Sequence, residues 1–155
     1  MATKISVKIR KKRDVDSAEI VKLVNLLPEY FPEPNLGAIE TNIDSLRGFV
    51  AIFDNEIVGF ISFLIKSNNA EIYAMAVHPS FQRCGIGQRL IEAMEETLRS
   101  QGIKRVQVNT LAETPKFANF QKTRKFYAKL GYKEKAYFKD TADSSIEILV
   151  LEKTL

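Results

Sequence analysis

Apolar residues recur along this chain with two periods, two and about 3.6, and the switches between them predict its elements. Ile5-Ser6-Val7-Lys8-Ile9-Arg10 alternates apolar with polar, the pattern of a strand with one wet face. Ile20, Leu23, Val24 and Leu27 then fall at helical spacing; Asp16 or Ser17 can cap that helix, and Pro28 ends it. Glu29-Tyr30-Phe31-Pro32-Glu33-Pro34-Asn35-Leu36 is a proline-broken loop carrying aromatics, and a second short helix is predicted around residues 37–46. Residues 49–53 and 57–65 are strongly β-forming and, joined by Asp54-Asn55-Glu56, predict a hairpin. Lys66-Ser67-Asn68-Asn69 turns the chain into another apolar run, residues 70–77.

After that run the period changes. Leu90, Ile91, Met94 and Leu98 share one helical face, and Gln88, Glu92, Glu95 and Arg99 are expected on the wet one. Gly102 closes this helix, and Arg105-Val106-Gln107-Val108 is a strand. Residues 110–118 read as irregular, with Pro115 among them. A helix near 119–130 stops at Gly131, and strands at 132–138 and 145–151 follow. The order β-α-α-β-β-β-α-β-α-β-β is a meander followed by two β-α connections. It predicts one α+β domain over residues 1–155, a mixed sheet with helices on its faces.

The loop between the run 70–77 and the helix after it is the chemically telling stretch. His78-Pro79-Ser80-Phe81 leads into Gln82-Arg83-Cys84-Gly85-Ile86-Gly87, with the helix starting at once. The first turn of a helix leaves backbone N–H groups free and its dipole favours an anion; two glycines let a phosphate approach without Cβ interference. A dinucleotide fingerprint needs a third glycine where Leu90 stands, and a P-loop needs Lys then Ser or Thr where Gln88-Arg89 stand, so both are excluded. The pattern is also that of a plain β-loop-α turn with glycines at tight positions.

Composition narrows the classes further. A chain of 155 residues with 45% hydrophobic and 27% charged content has room for a substantial core. No apolar run approaches the roughly 20 residues a membrane span needs, and the N-terminus lacks a signal peptide's apolar core, so a cytoplasmic protein without membrane contact is expected. One cysteine excludes an internal disulfide, and with one histidine it makes no zinc site; no metal is expected. Residues 78–155 carry 14 Lys and Arg against 9 Asp and Glu, whereas residues 1–77 carry 9 against 10. The basic half is the half with the phosphate loop, which suits an anionic ligand. A nucleic-acid role would rest only on the overall basicity and on the cluster Lys8–Arg13, with no reader module beside it, and none is expected.

Gln-x-x-Gly-x-Gly after a strand ending Val-x-Pro resembles the pyrophosphate loop of the GNAT superfamily of acyl-CoA-dependent N-acetyltransferases. Thr123-Arg124-Lys125-Phe126-Tyr127-Ala128-Lys129-Leu130-Gly131-Tyr132 resembles the family's second hallmark, in the family's order, and the predicted element order matches over essentially the whole chain. The resemblance implies a mostly antiparallel seven-stranded sheet splayed between its fourth and fifth strands. It implies acetyl-CoA as co-substrate, held by the amides of Gln82, Arg83, Cys84, Gly85, Ile86, Gly87 and Gln88, by the backbone of Met75, Ala76 and Val77, and by Lys129. Tyr127 matches the family tyrosine that gives the leaving thiolate its proton, which a phenol can do without first ionising. Glu71 stands where some members place a general base acting through water on the amine; it also reads as a strand-edge carboxylate in solvent. Buried among apolar strands, such a base would titrate upward.

Two positions depart from the pattern. Phe120, with Asn119 beside it, occupies the place of an asparagine that contacts pantetheine, and Cys84 stands where a basic residue is common. Cys84 is not expected to act as a nucleophile, because His78 belongs to the preceding loop and no third residue orients it. The acceptor is expected to be an amine, small molecule or peptide, with Glu29, Glu33, Glu40 and Asp44 drawing a cation in. Its identity and the oligomeric state are not legible. A non-catalytic acyl-CoA sensor is the competing class; it would keep the glycines and could dispense with Tyr127.

Overall fold

The computed structural model describes residues 6–112, 119–141 and 143–155. The first strand, β1 (Lys8–Lys11), lies slightly later than the alternation suggests, and α1 (Ser17–Val24) follows a short 3-10 turn. Asp16 does not cap α1 through its side chain. Instead its carboxylate takes a forked bond from Arg10 at 2.8 and 2.9 Å and the Arg13 N–H at 2.7 Å, fastening β1 to the helix start. Next come α2 (Asn35–Asn42), the hairpin β2 (Arg47–Phe53) and β3 (Glu56–Lys66), and β4 (Asn69–Val77). Asp54 and Asn55 both have positive φ, as a two-residue hairpin turn of this twist requires. The chain ends with α3 (Ile86–Ser100), β5 (Arg105–Leu111), α4 (Phe120–Lys129), β6 (Lys133–Lys139) and β7 (Glu147–Thr154).

The seven strands form one sheet in the order β1-β2-β3-β4-β5-β7-β6, antiparallel everywhere except between β4 and β5. Each sheet face carries its own core layer. Leu90, Ile91, Met94 and Leu98 of α3 pack on one face with Ile61, Phe63 and Val106. Ile20, Leu23 and Val24 of α1 and Ile39 of α2 cover the other with Val50 and Phe60.

Two irregularities in this sheet create an opening. Between the pairs Ser62↔Ala74 and Phe63↔Ile72, Tyr73 is an extra residue in β4. The bulge reverses the alternation: Ala70 and Ile72 face the α3 layer, while Ala74 and Ala76 face the α1/α2 layer. The parallel pairing of β4 with β5 then stops at Ile72↔Val108. Beyond that pair β5 stays bonded to β7 as far as Leu111, and β4 continues alone to Val77. The splay implied by the family resemblance is thus present, opening directly at the bulge.

One residue of α3 is placed differently from its expected face. Glu95 is 3% exposed, not on the wet side. It lies four residues after Ile91 and three before Leu98, inside the apolar stripe. Its carboxylate accepts from the Tyr132 hydroxyl and from Lys153 Nζ, both at 2.9 Å. The charge is buried because it is paired.

Candidate active site

A cleft of about 1140 Å3 passes through the gap between β4 and β5. Every expected site residue lines it except Cys84 and Glu71. On the α3 side the loop is shaped by local bonds. His78 Nδ1 accepts from the Ser80 N–H at 3.0 Å and caps a single 3-10 turn, which gives this histidine a structural task. Gln82 Nε2 donates to the Val77 carbonyl at 3.2 Å and draws the loop back onto β4. Arg83 and Gly85 both adopt positive φ, and a Cβ on Gly85 would meet nothing within 4 Å, so the backbone there faces open space.

The first intrahelical bond of α3 runs from the Arg89 N–H to the Gly85 carbonyl, leaving Ile86, Gly87 and Gln88 N–H without helical acceptors. Gly87 answers a second demand. A Cβ there would stand 3.2 Å from the Phe126 ring, so α4 leans on the start of α3 because this residue has no side chain. Cys84 is exposed, with Sγ 3.7 Å from the Gln82 carbonyl and no base beside it.

The β4 edge supplies free backbone. His78 N–H bonds the Val58 carbonyl, and in an antiparallel ladder every second residue repeats that orientation. Ala76 therefore points its amide groups at β3, whereas Met75 and Val77 turn theirs into the gap. Of the three residues expected to hold an extended amide-bearing arm, two are oriented for it, and Ala76 contributes only to the wall.

Tyr127 is the one buried residue of α4, at 4% exposure. Phe126 and Leu130, on either side of it along the helix, are only half-buried. The Tyr127 ring is held edge-on between Phe126 and Tyr132, at 5.2 and 5.4 Å between centroids. Among the described residues its hydroxyl has no hydrogen-bond partner, and the side chain lines the cleft. Burial pushes its ionisation well above the ordinary phenol value. Arg124 Nη1 donates to the Leu111 carbonyl at 2.8 Å, pinning α4 to the end of β5.

Thr110 belongs to the site although no motif marks it in the sequence. It is 6% exposed and lines the cleft, and among the described residues its hydroxyl has no partner. The inward positions of β5 are Val106, Val108, Thr110 and Ala112, so the period of two carried the signal, masked by polar Asn109.

Glu71 lies outside the cleft lining. Its carboxylate faces Lys66 Nζ at 3.3 Å, one residue before the last β4–β5 pair. Glu29, Glu33, Glu40 and Asp44 are exposed, and none lines the cleft. Phe120 packs edge-on against Tyr30 at 5.5 Å, and Asn119 Nδ2 donates to the Glu29 carbonyl at 3.2 Å. The asparagine place of the family pattern is thus used to tie α4 to the segment after α1.

These residues fit a CoA group: an anion-ready helix start over open space, the Met75 backbone turned into the gap beside it, and an apolar cleft beyond. Among the described residues no cluster of His, Cys, Asp and Glu could hold a metal ion, and no helix is long and apolar enough to cross a membrane.

Residues 44–134 match the family described as acetyltransferase (GNAT) domain. An uncharacterised N-acetyltransferase from Chlorobaculum tepidum is 31% identical over 105 residues, 65% of this chain. The matched stretch spans 61% of that relative's length. A GNAT-family structure from Desulfovibrio desulfuricans superposes with a TM-score of 0.85 at 17% identity, covering 96% of this chain and 99% of that one. The PaiA N-acetyltransferase of Thermoplasma acidophilum, in complex with coenzyme A, gives 0.77 at 19% identity over 97% and 100% of the two chains. At these identities the likeness to both structures is one of fold.

Proposed function

We propose that this chain, which belongs to the GNAT acetyltransferase family, moves the acetyl group of acetyl-CoA onto a primary amine. The observation that carries the reading is Tyr127: a buried phenol, without a hydrogen-bond partner among the described residues, in the same cleft as the open start of α3.

Acetyl-CoA supplies an activated acyl group on a thiol leaving group; the chain supplies the rest. The N–H groups of Ile86, Gly87 and Gln88, with Arg83 beside them, suit the pyrophosphate. Met75 and Val77 offer backbone to the pantetheine arm. The amine nitrogen forms the new C–N bond as the C–S bond breaks, and sulfur leaves with the phenolic proton of Tyr127. The phenolate left behind regains the proton that the amine surrenders, so no net charge remains. An alkyl ammonium has a pKa near ~10 and must lose a proton before attack. Glu71, beyond the lining and on Lys66, would take part only through water.

Tyr127→Phe keeps the ring and its packing and removes only the donor. Its kcat should fall by roughly 10²–10⁴-fold, with acetyl-CoA affinity by calorimetry unchanged. A loss below about tenfold, with chemistry rate-limiting, assigns the thiolate's proton to water.

A further inference from the structure

The cleft crosses the sheet, and its two ends are built differently. Met75 and Val77 pack with the α3 layer, at the end where α3 begins. The opposite end lies on the α1/α2 layer, walled by Leu27, Tyr30, Phe31, Ile39, Tyr73 and Phe120. On the transferase reading, on which the choice of acceptor rests, a donor held at the start of α3 leaves this second end to the acceptor.

Two facts about this end limit what can occupy it. The first is its aromatic wall, which is fixed in place. Tyr73 sits on the bulge, and its hydroxyl accepts from Asn42 Nδ2 at 3.1 Å. Tyr30 is held by Phe120 edge-on at 5.5 Å, and the neighbouring Asn119–Glu29 bond ties the same two segments together. The second is its charge. Among the described residues no Asp or Glu lines any part of the cleft; of its cationic side chains, Arg83 stands at the other end, beside the start of α3, and Lys122, Lys125 and Lys129 are on α4.

A polyamine or an aminoglycoside brings several ammonium groups. Each would have to leave water with no carboxylate among the described lining residues to meet it. A single ammonium is different. Aromatic faces can attract it while it remains charged, and it must discharge before it reacts. The rest of such an acceptor would displace water from apolar surface. We infer that the acceptor is a monoamine on a compact aromatic or aliphatic body, selected by Tyr30, Phe31, Tyr73 and Phe120. Phe120, in the place of the family's asparagine, then serves the acceptor end.

The test compares 2-phenylethylamine, hexylamine, spermidine and kanamycin A as acceptors at one fixed acetyl-CoA concentration, read by release of free thiol. The kcat/KM for 2-phenylethylamine or hexylamine should exceed that for spermidine and kanamycin A by about tenfold or more. Phe120→Ala should raise KM for 2-phenylethylamine by about tenfold and leave KM for acetyl-CoA in place. Tyr30→Ala, outside any helix or strand, gives the same reading should the α4 variant fail to fold. A higher kcat/KM for spermidine or kanamycin A overturns the monoamine assignment and leaves the transferase intact. Thiol release with none of the four, in a protein that binds acetyl-CoA by calorimetry, overturns the monoamine assignment, and absence of that binding overturns the transferase reading as well.

Discussion

Tyr127 shows how one side chain's surroundings set its chemistry. Its ionisation is raised above the ordinary value of 10.0 by burial, because the phenolate would lie in apolar surroundings. A raised value means the proton stays on oxygen throughout the assay range. The rate loss in Tyr127→Phe should therefore be the same at about pH 7 and about pH 9.5. A loss that vanishes toward alkaline pH would place the ionisation near the ordinary value instead. Glu71→Gln tests the base separately. As a base acting through water, Glu71 should on replacement lower turnover at neutral pH and abolish the acidic limb of the profile, with acetyl-CoA affinity unchanged. Profiles that overlay would assign deprotonation to bulk water. At this scale the sequence was legible for placement where a motif marks it, as for Tyr127, which lines the cleft. It was not legible where role depends on neighbours. Glu95 looked like a solvated carboxylate because charge was weighed above its spacing, and Thr110 looked like part of a loop because Asn109 precedes it.

At the scale of elements, the two glycines of the loop separate into different tasks. Gly85 faces open space at φ +78, so Gly85→Ala should cost about 1 kcal/mol of stability. Gly87→Ala would push a methyl group to 3.2 Å from the Phe126 ring and displace α4. It should lower kcat as well as acetyl-CoA affinity, whereas Gly85→Ala should spare kcat; steady-state kinetics on the pair decides. The Arg10–Asp16 fork joins β1 to α1 in the same local way. The hydrogen bond from Arg10, outweighing the cost of burial, holds the Asp16 carboxyl below its ordinary value of 3.8. A depressed carboxylate contributes stability that is complete above 3.8 and lost as pH falls through the lower folded value. Asp16→Asn should therefore flatten the acid limb of a stability-against-pH curve, and at neutral pH should cost about 2 kcal/mol by urea denaturation. Among the element boundaries, the end of β5 was poorly legible: expected over 105–108, the strand runs on to Leu111 past polar Asn109. β6, by contrast, falls within one residue of its expected bounds although all its residues are exposed.

For the molecule as a whole, the element order was plain in the sequence because each helix and most strands bury one face against a layer. The opening between β4 and β5 was not written in any residue. It is a missing strand partner, and only resemblance to a family pointed to it. The Glu95 cluster was hidden for a related reason, since it joins α3, β7 and Tyr132 from three separate parts of the chain. Glu95→Ala leaves Lys153 and the buried Tyr132 hydroxyl unpaired, and should destabilise the fold by about 3 kcal/mol in urea titration.

That carboxylate has a further consequence. The helix that begins at the glycine loop and the strand β7 are riveted to one another through it, and Tyr132, bonded to the same carboxylate, presses its ring on Tyr127. The two jaws of the cleft share this anchorage. A tool built this way works as a gauge of set width rather than a vice: it measures what is brought to it, and passes over what is too broad.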